Sequence, residues 1–172
     1  MRTVKAVLHT IDLTSEWTAK VVSWFAVALV LVLVFDVVER YVFGGATVWA
    51  YETGTMLGAT IYVMGWAFVH RVREHIRVDV IYIHLSRRVQ LVIDVIGTLL
   101  FFLPLLYVLI DTSIYYMIRA WKIDEVLAET FWYPPAGPFR TVVVVGLFLL
   151  AFQTLAHLIR DFYQLVRNKA YD

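Results

Sequence analysis

The chain has 172 residues, of which 61% are hydrophobic and only 17% charged, with a formal net charge of +1 and no cysteine. This composition excludes an ordinary soluble domain and predicts a membrane protein. The lack of cysteine excludes disulfides, thiolate metal sites and cysteine nucleophiles.

The first 16 residues predict a helix that lies on the membrane surface. Val4, Val7, Leu8 and Ile11 fall at helical spacing, with charged and polar residues off that stripe. The apolar run that follows has no small-residue cleavage pattern behind it, so we expect an uncleaved anchor and not a signal peptide.

Four apolar runs are long enough to cross a bilayer as helices, which takes about 20 residues each. They cover residues 19–38, 53–69, 89–110 and 141–159. Backbone polar groups need internal partners in lipid, and the runs lack the short alternation of barrel strands. The sequence therefore predicts an all-α membrane protein, a single membrane domain with four transmembrane helices and additional interfacial amphipathic helices.

Basic residues predict the orientation of these spans. Most lysines and arginines lie before the first span, in the 70–88 connection and in the C-terminal tail, whereas the loops 39–52 and 111–140 hold few. Cytoplasmic flanks carry the excess of basic residues in membrane proteins. We therefore expect both termini in the cytoplasm and the two sparsely basic loops outside.

The connections have patterns of their own. Asp79 is suited to cap a short turn in the 70–88 connection, and Ser86 to cap the third span. A helical stripe continues past residue 110 to Trp121, and Pro104 can kink this long helix. The prolines that follow, in "AETFWYPPAGP", predict a loop that is not helical throughout.

Two ion pairs are expected. Lys20 and Asp94 are predicted at equal depth in the first and third spans. Arg40 is predicted to bridge to Glu52 across a tight Gly44-Gly45 reversal, with Asp36 as a second carboxylate one turn back.

The second of these pairs predicts a structural clamp. Tyr41, Phe43 and Trp49 are expected to pack around it and to limit water. The clamp would set the angle between the first two spans, and it is not expected to be a substrate or sodium site.

Small residues mark the second span as a close-packing surface. Gly54, Gly58 and Gly65 give it a face on which another helix can approach. Whether that helix belongs to this chain or to another subunit stays open at this point.

The second external loop mixes Arg119 and Lys122 with three carboxylates. Two interpretations stay open: a docking surface for a soluble partner, or a solvated face of mixed charge.

No motif for nucleotide binding and no catalytic constellation is found, so an enzyme, a bound cofactor and a metal site are not expected. His70 and His157 are the one histidine pair at comparable depth. They keep open a membrane cytochrome or quinone-linked subunit as an alternative. A second alternative is a stand-alone homo-oligomeric transporter or channel.

Several short motifs occur in a specific order along nearly the whole chain. They are Arg40-Tyr41-x-Phe43, Trp49-x-x-Glu52, Gly65 and Arg71, His75-Ile76-x-Val78-Asp79, and Trp132 ahead of a proline-rich turn. In this order and on this topology the chain resembles the small membrane subunit of tripartite ATP-independent periplasmic (TRAP) transporters, the DctQ-type family.

The resemblance implies a non-catalytic subunit of a sodium-coupled transporter for an organic acid anion, in the bacterial inner membrane. The implied partners are a large membrane subunit that carries the substrate and sodium sites, a periplasmic substrate-binding protein, and membrane lipids. No nucleic-acid partner is implied. The small subunit would be a scaffold for the large one and would help to dock the binding protein.

Overall fold

The structure, a computed structural model, describes residues 2–45, 47–72 and 84–167. The helices in these ranges are α1 (Arg2–Val42), α2 (Val48–Arg71), α3 (Arg87–Gly97), α4 (Leu103–Lys122) and α5 (Ala136–Arg167). A π-helical turn, Thr98–Phe102, joins α3 to α4. The only extended pairing in these ranges is a single antiparallel bridge between Val126 and Pro135. The prediction of an all-α fold is therefore confirmed.

Helix α1 is one continuous helix of 41 residues, about 62 Å long at 1.5 Å per residue. It joins the segment predicted as a separate surface helix to the first predicted span. The reason lies in the sequence, because α1 contains neither glycine nor proline to interrupt its hydrogen bonds.

The helical stretch from α3 to α4 confirms that the third predicted span continues to Trp121, since α4 ends at Lys122. The π-helical turn ends at Phe102, two residues before Pro104. Proline has no N–H to donate, and a widened turn is one way in which a helix accommodates it. Ser86 precedes α3 as predicted, but its side chain makes no capping hydrogen bond. Asp79 lies outside the described residues.

Three helical stretches of the described chain are long and apolar enough to cross a membrane: Val4–Val42, Arg87–Lys122 and Ala136–Arg167. Helix α2 has 24 residues, about 36 Å at 1.5 Å per residue, so its length is sufficient. It is not among these three, because glycines, threonines and tyrosines lower its hydropathy. The prediction of a fourth span rests on this helix.

Helix α5 lies at the centre of the bundle and packs against all four other helices, while α2 lies between α1 and α5. Leu106 of α4 and Leu147 and Leu150 of α5 form a buried apolar cluster. Most of the apolar stretch of α1 is exposed. The long peripheral helix α1 therefore has most of its apolar surface open to lipid or to a partner.

Helices α2 and α5 approach most closely at Gly146. A β-carbon built there would lie 2.4 Å from Val63 Cγ1 and 2.8 Å from the Val63 carbonyl oxygen. Only glycine fits this crossing, because backbone cannot move aside as a flexible side chain can. Gly146 was not among the glycines predicted from the sequence, since no second small residue at helical spacing accompanies it.

Candidate partner interface

Helix α2 has an outward stripe that no other helix of the described chain covers. We call it the open α2 face, and it consists of Tyr51, Thr55, Gly58, Tyr62, Gly65, Trp66 and Val69, which recur every three or four residues. Tyr62, in the middle of the helix, is 72% exposed, and Tyr51 is 61% exposed. A β-carbon added at Gly58 or Gly65 would meet nothing within 4 Å in the described structure. The two glycines therefore leave shallow notches in an exposed face.

Gly54 differs from the other two predicted glycines. A β-carbon at this position would lie 3.7 Å from Leu33 Cδ2 and 3.8 Å from Leu29 Cδ1 of α1. The predicted small-residue surface is thus divided between two uses. Gly54 serves the internal contact between α1 and α2, while Gly58 and Gly65 remain open.

Glu52 lies on another side of α2 and is 1% exposed. Its Oε1 accepts hydrogen bonds from the backbone nitrogen of Thr130, at 2.6 Å, and from the Thr130 hydroxyl, at 2.5 Å. Its Oε2 is buried and has no hydrogen-bond partner among the described residues. Glu52 therefore fastens the 123–135 loop to the beginning of α2.

The predicted bridge between Arg40 and Glu52 is wrong. Arg40 Nη2 pairs with Asp36 Oδ2 at 3.0 Å, one turn back on the same helix, and this arginine is largely exposed. Asp36 also accepts a hydrogen bond from the Thr47 hydroxyl. Arg40 pairs with Asp36 because this carboxylate lies one turn away on the same helix. Glu52 lies across the hairpin and points inward to the 123–135 loop.

The hairpin itself has the predicted tight reversal. Gly44 has φ +68°, a conformation that glycine adopts at little cost. The ring of Trp49 lies 5.6 Å from that of Phe35, which joins the ends of α1 and α2. Tyr41 and Phe43 are strongly exposed, so they do not enclose the arginine as predicted.

The predicted pair of Lys20 and Asp94 is also wrong. Lys20 Nζ lies 2.8 Å from Glu16 Oε1 on the same helix. Asp94 belongs to α3, which packs against α5 and not against α1. Equal depth in the membrane does not bring two residues together when a third helix lies between them.

A polar network that the sequence did not reveal joins α1 to α5. Asp12 Oδ2 pairs with Arg160 Nη2 at 2.6 Å, and Asp12 Oδ1 accepts a hydrogen bond from Gln153 Nε2 at 2.9 Å. The buried Ser15 hydroxyl donates to Gln153 Oε1 at 3.0 Å. We call these four residues the Asp12 network. Nearby, a separate ion pair joins α1 to α2, because Glu16 Oε2 lies 2.8 Å from Arg71 Nη1.

No local signal could have identified these partners. Asp12 and Arg160 are separated by most of the chain, and only the packing of α1 against α5 makes them neighbours. Sequence spacing alone would direct Asp12 to the residue four positions later in the helix. That residue is Glu16, whose like charge repels Asp12.

Arg119 and Lys122 lie in the last turn of α4, directly before the 123–135 loop, and both are exposed. Neither has a carboxylate partner in the described part of the chain. Glu125 is instead paired with Arg140 at 2.6 Å. Trp132 is half-exposed at the end of the same loop, and its backbone nitrogen donates to the Thr130 hydroxyl at 3.3 Å.

His70 and His157 are brought together as their depth suggested, with ring centroids 5.0 Å apart in an edge-to-face arrangement. Phe102 stacks on His70, with centroids 5.7 Å apart. The two imidazoles are in contact with each other, so this geometry leaves no slot for a porphyrin between them. His75, like Asp79, lies outside the described residues.

Comparison with known proteins gives one match and one negative result. The family model described as "Tripartite ATP-independent periplasmic transporters, DctQ component" matches residues 29–164. The matched region includes α2 with its open face, all of α3 and α4, and most of α5. It excludes the part of α1 that carries Asp12 and Ser15. The search of curated proteins finds no match.

Proposed function

The chain belongs to the family of DctQ components of tripartite ATP-independent periplasmic transporters, and from this premise we propose that it is the non-catalytic membrane scaffold of such a transporter. Members of this family work with a large membrane component and a periplasmic binding protein. The proposal is that the open α2 face binds the large component.

The observation that carries this proposal is the chemistry of the open α2 face. This side of α2 carries tyrosine, threonine and glycine, and its tyrosines and Trp66 are exposed to the surroundings of the bundle. The Tyr62 hydroxyl is near the middle of the helix, where lipid would offer it no hydrogen-bond partner. Notches at Gly58 and Gly65 favour close approach of another helix, which gains van der Waals contact that fluid lipid does not supply.

The packing of α2 against α5 also bears on whether this chain carries a solute path of its own. In the described chain, Glu52 is buried at the beginning of α2, and the other buried polar side chains lie on the opposite side of the close contact of Gly146 with Val63. They are Gln153, Thr154 and Asp161 of α5, and Ser15 of α1, which is bonded to Gln153. A solute path through a small bundle would need polar groups at this level. This argues against the stand-alone transporter and supports the proposal that the large component carries the substrate and sodium sites.

The remaining parts of the proposal concern topology and cargo. We infer that α2 is the fourth span and that both termini are cytoplasmic, by the distribution of basic residues. The cargo is an organic acid anion moved by sodium symport, and the location is the bacterial inner membrane. The family supports this assignment, and the chain's own residues do not choose among dicarboxylates, sialic acid, sugar acids and sulfonates.

We further propose that Arg119, Lys122 and Trp132 contribute to docking of the periplasmic binding protein. The two cations are exposed and without ion-pair partners in the described chain, and the loop beside them is held in shape by Glu52. Unpaired surface charge on an ordered support is suited to steering a soluble partner.

The test of the scaffold assignment is co-purification of the large component with tagged variants of this chain. Gly58→Leu places a bulky side chain on the open α2 face and should lower the recovery of the large component about tenfold. Gly97→Leu is the matched control, since Gly97 on α3 also has no neighbour within 4 Å in the described structure.

Equal recovery with Gly58→Leu and Gly97→Leu would show that the open α2 face is not the interface. Thermal unfolding of each purified chain separates this result from a folding defect.

A further inference from the structure

An apolar groove lies along the last turns of α5, beside the π-helical turn. It has a volume of about 410 Å³, within the range of about 300–1,000 Å³ that is usual for small-molecule sites. Leu99 of the π-helical turn forms one wall, and Ile159, Phe162 and Val166 of α5 form another. Arg167 lines the groove at its end.

The apolar wall continues past the end of the predicted fourth apolar run. Ile159, Phe162 and Val166 recur every three or four residues and are all exposed, Val166 at 65%. In an aqueous surrounding these side chains would form an uncovered apolar patch. Their stripe leads from the membrane-spanning part of α5 directly to the guanidinium of Arg167.

Arg167 lines the groove at this end, and a second cation, Arg87, lies nearby without lining it. The Arg167 guanidinium carbon lies 5.6 Å from the centroid of the Tyr163 ring. Arg87 of α3 donates from Nη2 to Gln164 Oε1 at 3.4 Å, and Gln164 is one turn before Arg167 on the same side of α5. Among the residues that the structure describes, no carboxylate lies within ion-pair distance of either arginine.

We propose that this groove binds an anionic phospholipid. One acyl chain lies along Leu99, Ile159 and Phe162, and the phosphate is held by Arg167 and Arg87. The two halves of the site, apolar and cationic, adjoin as the two halves of a phospholipid do, and basic side chains at the end of a membrane helix attract anionic headgroups.

Other occupants fit the site less well. A free phosphate would leave the apolar walls uncovered, and a partner's apolar helix would bury two arginines without a counter-charge. The proposal does not depend on the scaffold assignment, because every residue of the site belongs to this chain.

The test is lipid retention by the full-length chain, purified and transferred from mixed micelles with equal amounts of phosphatidylglycerol and phosphatidylcholine. Native mass spectrometry counts the lipids that stay bound. We expect preferential retention of phosphatidylglycerol, with a loss of about fivefold in that preference for each of Arg87→Gln and Arg167→Gln. Arg40→Gln, at the opposite end of the bundle, removes an arginine outside the groove and should retain the preference.

Ile159→Trp fills the groove and leaves both arginines in place, and it should lower retention of both lipids. Glycerol phosphate, which has the headgroup charge without acyl chains, should not displace bound phosphatidylglycerol. Equal retention of the two lipids by the wild type would overturn the proposal, as would an unchanged preference after both arginines are replaced. Displacement by glycerol phosphate at equal concentration would show an anion site without a lipid groove.

Discussion

Glu52 and Thr130 are joined by two hydrogen bonds, from the Thr130 backbone nitrogen and the Thr130 hydroxyl to the same carboxylate oxygen. These bonds connect the beginning of α2 to a loop that lies far away in the chain. The carboxylate is buried, so its hydrogen bonds are shielded from competition by water. The shape of the 123–135 loop therefore depends on a side chain of α2.

Loss of the Thr130 hydroxyl should loosen this loop. Thr130→Val removes one of the two donors to a buried carboxylate, and we expect a loss of about 1–3 kcal/mol in the free energy of unfolding. Thermal unfolding and limited proteolysis within residues 123–135 measure the effect. Thr112→Val, at an exposed position of α4, is the control. Identical cleavage of the two variants would mean that the hydrogen bond from the Thr130 hydroxyl to Glu52 does not hold the loop.

The Asp12 network should contribute more to stability than the exposed pair of Arg40 and Asp36. We expect a coupling energy of about 1–3 kcal/mol in a double-mutant cycle of Asp12→Asn and Arg160→Gln, because the two residues are in contact and partly buried. Arg40→Ala should cost no more than about 0.5 kcal/mol, as is usual for an exposed i,i+4 pair.

A cycle of Lys20→Gln and Asp94→Asn serves as the control for additivity. The changes in unfolding free energy caused by substituting two residues that are not in contact usually add to within about 0.5 kcal/mol. The structure keeps α1 and α3 apart. Clear coupling between Lys20 and Asp94, or its absence between Asp12 and Arg160, would contradict the observed packing.

Gly146 should not tolerate even the smallest side chain. Gly146→Ala brings a methyl group against the Val63 carbonyl oxygen, and such overpacking typically costs about 1–3 kcal/mol. Gly58→Ala adds the same methyl group in open space and should be neutral or stabilising by up to about 1 kcal/mol, through helix propensity. Chemical or thermal unfolding measures the stability of the Gly146→Ala and Gly58→Ala variants. Equal stability of the two would refute the close crossing of α2 and α5.

Charge reversal at Arg119 and Lys122 should weaken docking of the binding protein. Uptake by the reconstituted transporter would then need about tenfold more binding protein for half-maximal rate, with the maximal rate unchanged, because electrostatic steering acts mainly on association. Arg88→Glu, an exposed arginine at the other end of the bundle, is the control. Unchanged uptake over the whole range of binding-protein concentrations would leave these residues as a solvated surface.

The amino-acid sequence by itself determined the class of this protein and most of its helices. Apolar content, helical periodicity and proline positions act within a few residues, so they predicted the all-α fold, the extension of the third helix to Trp121 and the non-helical loop after it. The tight turn at Gly44 was readable for the same reason. The order of the short motifs also indicated the family, which the match to residues 29–164 confirms.

The tertiary structure alone decided which polar groups meet. Sequence position gave Lys20 and Asp94 similar depths, but depth does not say which helices are neighbours, and α5 lies at the centre of the bundle. Arg40 and Glu52 flank the same turn, yet rotation of α2 about its axis directs the carboxylate to Thr130. Ion pairs in a bundle depend on helix order and rotation, and these follow from long-range packing such as the contact of Gly146 with Val63, which no local pattern encodes.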